Sequence, residues 1–142
     1  MKRFIIMGLM ATALGTAVSV QAQAGETITI YQDPNCGCCS GWAQYMRAEG
    51  FDVREVQSAD LAAIKTRLNV PMQLASCHTA QLESSGQIVE GHVPTAVVRK
   101  LLASKDTRGV SAPGMPGNAP GMGPMDGNLM TYDFNAMPFS RD

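Results

Sequence analysis

Alternation between apolar and polar positions marks the first ordered element. Thr27-Ile28-Thr29-Ile30-Tyr31 alternates and is β-branched, which predicts a strand. The period then changes. Cys39 to Glu49 carries apolar residues at helical spacing and is closed by Gly50, a C-terminal stop. Phe51 to Val56 alternates again and predicts a second strand. Ser58 is placed to cap a second helix, with Asp60 in its first turn and Leu61, Ile64 and Leu68 on one apolar face. Pro71 ends that helix and pushes Val70 towards an extended conformation.

The second half of this region predicts a hairpin. Met72 to Leu82 reads as strand three, Glu83-Ser84-Ser85-Gly86 as a turn, and Gln87 to Val93 as strand four. Pro94 suits the first position of a helix through Val97, Val98, Leu101 and Leu102. The predicted order is β-α-β-α-β-β-α, an α/β fold of thioredoxin-like order, with strands one and two parallel across a right-handed crossover. From Gly109 to Asn128 glycine and proline dominate, so continuous helix or sheet is not expected. This stretch reads as a loop or a loosely docked arm, with a short edge strand over Met130 to Phe134. The predicted organisation is a leader over 1–24, one domain over 25–108 and a Gly/Pro/Met-rich arm over 109–142.

The leader changes the picture of where the chain works. Lys2 and Arg3 precede an apolar run from Phe4 to Val20, and Ala22-Gln23-Ala24 has the small-x-small pattern of a cleavage site. This predicts a secretory signal peptide cut after Ala24, hence a periplasmic protein. A membrane anchor is the alternative, but the run is short and broken by Gly8 and Gly15, and no later stretch could span a bilayer. Of 11 Lys and Arg residues, 9 lie after the leader against 12 Asp and Glu. With no basic patch, nucleic acid and anionic membrane are not expected partners.

Chemistry concentrates in Gln32-Asp33-Pro34-Asn35-Cys36-Gly37-Cys38-Cys39-Ser40-Gly41-Trp42, where three of the four cysteines fall within four positions. They sit between a strand and a helix start, where unpaired N–H groups and the helix dipole favour thiolate. Cys36 and Cys39 have the spacing of a redox pair, and Cys38 would compete for any disulfide they make. Val70-Pro71 matches the position of the cis-proline that faces such a turn in thioredoxin-like folds, so Cys77 could reach the trio.

Four gathered thiolates carry a charge of −4, and no Lys or Arg lies between Tyr31 and Met46. One zinc ion would leave −2, whereas several sulfur-bridged Cu(I) ions cancel more and relieve the strain of adjacent Cys38 and Cys39. The residues thus point to a soft-metal site, with copper ahead of zinc. A redox or structural disulfide arrangement, the ordinary reading of four cysteines in an exported chain, stays open.

Secondary candidates are fewer. His92 precedes a helix start and is either a polar contact or a metal ligand. His78 follows Cys77 in a predicted strand, so alternation turns it to the opposite face. Met72, beside Pro71, offers a thioether or fills core. Met115, Met122, Met125, Met130 and Met137 lie in the arm, where thioethers could bind Cu(I) or be incidental. Trp42 reads as a core anchor.

Taken together, Cys36-Gly37-Cys38-Cys39, Ser76-Cys77-His78-Thr79, Gly91-His92-Val93-Pro94 and Pro113-Gly114-Met115-Pro116 resemble the CopG-like family of small periplasmic copper-resistance proteins. The resemblance implies a thioredoxin-like fold and copper held by Cys36, Cys38, Cys39 and Cys77 in a multinuclear thiolate cluster. It also implies a role in copper tolerance, with interconversion of Cu(I) and Cu(II), as a copper oxidoreductase, for export partners. The segment after Asp126 lies outside the match. A thiol–disulfide oxidoreductase using Cys36 and Cys39 is the rival reading.

Overall fold

The computed structural model describes residues 25–142, so the expected leader over 1–24 lies outside the described residues. The elements follow in the predicted order: β1 Thr27–Gln32, α1 Gly37–Ala48, β2 Asp52–Gln57, α2 Leu61–Arg67, β3 His78–Leu82, β4 Ile88–Glu90 and α3 Thr95–Ala103. Three further strands come after α3: β5 Gly109–Ser111, β6 Met130–Asp133 and β7 Pro138–Arg141. All seven strands form one mixed sheet in the order β2-β1-β3-β4-β5-β6-β7. β1 pairs parallel with β2, as expected from the helical crossover, and antiparallel with β3, while β4 and β5 are parallel across α3.

The core explains why these elements hold. Ile28 and Ile30 of β1, Trp42, Ala43 and Met46 of α1, Ala80 and Leu82 of β3, and Val97, Val98 and Leu101 of α3 share one buried cluster. Trp42 is fully buried and its indole N–H donates to the Val93 carbonyl at 2.9 Å, so it is the core anchor its sequence position predicted.

Several local expectations are corrected. α1 begins at Gly37, so Cys36 is its N-cap and Cys38 and Cys39 lie in the first turn. The cause is a tight turn before it: Asp33 Oδ1 accepts from Asn35 N–H at 2.8 Å, and the Asp33 carbonyl accepts from Cys36 N–H at 3.0 Å. Asp60, not Ser58, caps α2, its carboxylate accepting from Ala63 N–H at 3.0 Å, while Ser58 Oγ accepts from Asp60 N–H at 3.2 Å. No cis peptide bond occurs among the described residues, so Val70-Pro71 is not the cis-proline that its position suggested. Strand three is shorter than predicted: Met72–Leu74 form a single 3-10 turn and β3 starts only at His78. β4 stops at Glu90 because Gly91 adopts φ 76, outside the strand region.

The Gly/Pro-rich arm is firmly docked, because its few apolar residues are aimed inwards. Ala112, Ala119 and Leu129 are buried in the core cluster. The short strand foreseen near Met130 is β6, and it pairs with β5 and β7. Short strands of three or four residues embedded in Gly/Pro-rich sequence give almost no alternation to read, which is why β5 and β7 were not foreseen.

Candidate metal centre

The cysteine trio and Cys77 meet at the start of α1. The Sγ atoms of Cys36, Cys38, Cys39 and Cys77 all lie within 4.8 Å of one another. Cys36 and Cys39 are joined as a disulfide, and Cys38 and Cys77 are free thiols. Cys38 Sγ lies 3.5 Å from Cys36 Sγ, within reach of the bridge. No side chain caps α1, so the first-turn N–H groups at its positive dipole end, where the cysteine trio sits, have no side-chain acceptor.

Cys77 reaches the trio from the opposite side because three separate elements hold its loop. Ser76 N–H donates to the buried Glu90 carboxylate at 2.6 Å, and Glu90 is itself paired with the buried Lys65 ammonium at 2.5 Å. Thr79 Oγ1 donates to the other Glu90 oxygen at 2.6 Å. On the outer side Ser76 pairs with Gly114 of the arm, its hydroxyl donating to the Gly114 carbonyl and Gly114 N–H donating to the Ala75 carbonyl at 3.2 Å.

Two histidines complete the centre. His92 Nε2 lies 3.2 Å from Cys77 Sγ, and its Nδ1 lies 2.8 Å from the Pro120 carbonyl. A carbonyl only accepts, so the His92 proton sits on Nδ1 and the Nε2 lone pair faces the sulfur. His78 Nδ1 lies 3.5 Å from Cys77 Sγ. The expectation that His78 turns to the opposite face is therefore corrected. Cys77 sits in a bend before β3, and strand alternation starts only at His78. Cys39, Cys77, His78 and His92 form a second donor set, overlapping the first through two sulfurs, also within 4.8 Å.

Burial sets the resting protonation of these groups. The Cys77 thiol is pushed up to about 11, by burial first and by the neighbouring Cys38 second. His78 is held well below the usual imidazole range, by burial first, then by His92 and Lys65. His92 is lowered as well, chiefly by burial. Both imidazoles are thus neutral near pH 7, the form that ligates metal.

The methionines divide. Met122 packs against the hydrophobic core, whereas Met72 in the 3-10 turn is 66% exposed and Met115, directly after the Gly114 that pairs with Ser76, is 57% exposed. Met125 and Met137 are exposed and Met130 is half-buried on β6. The structure brings together the four sulfurs and His92 that the sequence singled out, and adds His78, for which the only sequence signal was its place directly after Cys77.

The family described as protein of unknown function DUF411 matches residues 74–122, the span that contributes Cys77, His78, His92 and Pro120. No curated protein matches the chain. Two solved structures, Copper resistance protein copG form 1 and form 2, are 38% and 37% identical to it. Each alignment covers 80% of this chain, with 93% and 94% of the other chain and TM-scores of 0.69 and 0.71. Likeness of that extent, running through sequence and structure alike, places the chain in the CopG family of copper resistance proteins.

Proposed function

We propose that this chain is a periplasmic copper-binding protein of copper resistance, which holds Cu(I) on Cys36, Cys38, Cys39 and Cys77 in a multinuclear thiolate site. The observation that carries the reading is the gathering of four sulfurs within 4.8 Å, three of them on one helix start. Sulfur is the donor that selects Cu(I), and adjacent cysteines bridge several ions more readily than they chelate one. His92 stands beside the sulfurs as a nitrogen donor with its lone pair already directed. Met72 and Met115, exposed near the same loop, are thioether donors for an arriving ion; the core packing of Met122 weighs against a ligand role for it.

Loading requires the Cys36–Cys39 bridge to open, which takes two electrons and two protons from an external reductant and yields two thiols. Cu(I) then displaces the thiol protons. The nitrogen donors beside the sulfurs favour interconversion of Cu(I) and Cu(II), the electron passing to an external oxidant or from an external reductant. Export proteins of the envelope would receive the ion. Native mass spectrometry with metal analysis on reduced protein tests the reading. Copper bound with all four cysteines reduced, and lost on any single Cys→Ser change, is expected; zinc bound in its place, or protein that stays metal-free when offered Cu(I), refutes it.

The disulfide itself favours a second reading, a thiol–disulfide oxidoreductase acting through Cys36 and Cys39. Turnover of disulfide substrates that survives Cys38→Ser and Cys77→Ser would establish it. The crowding of Cys38 against Cys36 favours the copper reading, because a third thiol would divert the exchange.

A further inference from the structure

Three buried side-chain atoms among the described residues have no hydrogen-bond partner: Gln32 Oε1, His78 Nε2 and Gln87 Oε1. Gln87 caps the end of α3, its amide donating to the carbonyls of Leu101, Ser104 and Thr107, far along the sheet from the sulfurs. The other two belong together. Gln32, the last residue of β1, is the direct antiparallel partner of His78, the first residue of β3. Directly opposite residues project from the same face, with Cβ atoms roughly 4.5–5.5 Å apart. Gln32 is 2% exposed and His78 fully buried, so water outside the protein satisfies neither.

Their chemistries are complementary. The Gln32 amide is oriented from its far side: its Nε2 donates to Glu55 at 3.0 Å, and Glu55 is fixed by Arg47 at 2.8 Å. A carboxylate accepts only, so the amide nitrogen must face Glu55 and the amide oxygen must face away. That leaves an acceptor without a donor, opposite a ring nitrogen without a partner. Nearby, the Trp42 indole packs 4.5 Å from the His78 ring, but its N–H is committed to Val93.

We propose that Gln32 is a positioning residue of the metal centre: it accepts the His78 Nε2 proton, directly or through one bridging water, and so turns the Nδ1 lone pair towards Cys77. The inference rests on the copper reading for its purpose but not for its test. A ligating imidazole needs its other nitrogen anchored, and Pro120 does this for His92. Gln32 does the same for His78, and the path Arg47–Glu55–Gln32–His78 links a surface ion pair to the centre.

Nitrogen-15 spectra of the reduced, metal-free full chain test this without copper. His78 is expected as the Nε2–H tautomer. In Gln32→Met, which keeps the side-chain length and removes the acceptor, the Nε2–H to Nδ1–H ratio is expected to fall roughly tenfold, the worth of one buried hydrogen bond. Cu(I) affinity, measured by competition with a chromophoric chelator, is expected to fall about tenfold in the same variant. An Nδ1–H tautomer in the wild-type protein overturns the proposal even if the variant does not fold, and so does an unchanged tautomer ratio in a folded Gln32→Met. Failure of the copper reading would instead show as wild-type protein that binds no copper with His78 still Nε2–H.

Discussion

Cys77 Sγ lies 3.2 Å from His92 Nε2, the two residues flanking the β3–β4 hairpin, one just before β3 and the other just after β4. Burial at this contact sets a proton balance. Cys77 is pushed up to about 11 from an ordinary value of 9.0, by burial first and the nearby Cys38 second. A folded-state value above the unfolded one means that the native chain keeps a proton the unfolded chain has lost. Its contribution to stability is therefore complete below pH 9 and disappears as pH rises towards about 11. Melting of reduced, metal-free protein between pH 8 and about 11 should show a steeper decline for wild type than for Cys77→Ser. Metal binding displaces the same proton, so Cu(I) affinity should rise with pH by about tenfold per unit for each proton released.

The disulfide makes copper loading depend on reductant. With Cys36 and Cys39 joined, only Cys38 and Cys77 remain as free thiols among the four. Protein incubated with Cu(I) under argon without prior reduction should retain less than half the copper of pre-reduced protein after desalting. A metal analysis showing equal copper in both preparations would mean that the bridge does not compete with the ion.

Much of this was legible in the sequence, for identifiable reasons. The clustered cysteines are local, and the β-α-β-α-β-β-α order follows from long periodic stretches such as Thr27–Tyr31 and Cys39–Glu49. What escaped was set by contacts between distant segments. His78 faces the centre because a bend at Cys77 resets the alternation, and Ser76 before it is held by Glu90 and Gly114, 14 and 38 residues further on. The Pro120 carbonyl that orients His92 lies in the Gly/Pro-rich arm, whose backbone groups act without any side-chain signature.

The Lys65–Glu90 pair couples stability to site geometry. Both side chains are buried, and Lys65 Nζ also donates to Thr79 Oγ1 at 2.9 Å. Lys65→Met leaves a buried carboxylate without its cation and should lower unfolding free energy by about 3–5 kcal/mol in urea titrations. Adding Glu90→Leu removes the stranded charge and should recover much of that loss, since buried pairs replaced by apolar residues are often neutral. Ser76 N–H then has no acceptor, so the Cys77 loop loosens. Cu(I) affinity of the double variant should stay below wild type although its stability has returned. Full recovery of both would mean that Glu90 serves folding alone.

Gly121 ties the arm to the helix that carries the cysteines. It adopts φ 81, and a Cβ built there would stand 2.7 Å from Trp42 N and 3.0 Å from the Gly41 carbonyl carbon. Both are backbone atoms of α1, which cannot rotate aside as a side chain could. Gly121→Ala therefore adds left-handed strain to a steric overlap, and a cost of about 1–3 kcal/mol is expected. The cheapest relief is for the arm to lift away from α1. Pro120 would move with it, and its carbonyl would leave His92 Nδ1. His92 could then turn, so Cu(I) affinity should fall about 10-fold or more, as when an outer partner of a ligand is lost. Gly117→Ala is the control: nothing lies within 4 Å of a Cβ at that position in the same arm, and copper affinity should be unchanged. Equal copper affinities for Gly121→Ala and Gly117→Ala, with Gly121→Ala still folded, would separate the arm's docking from the metal centre.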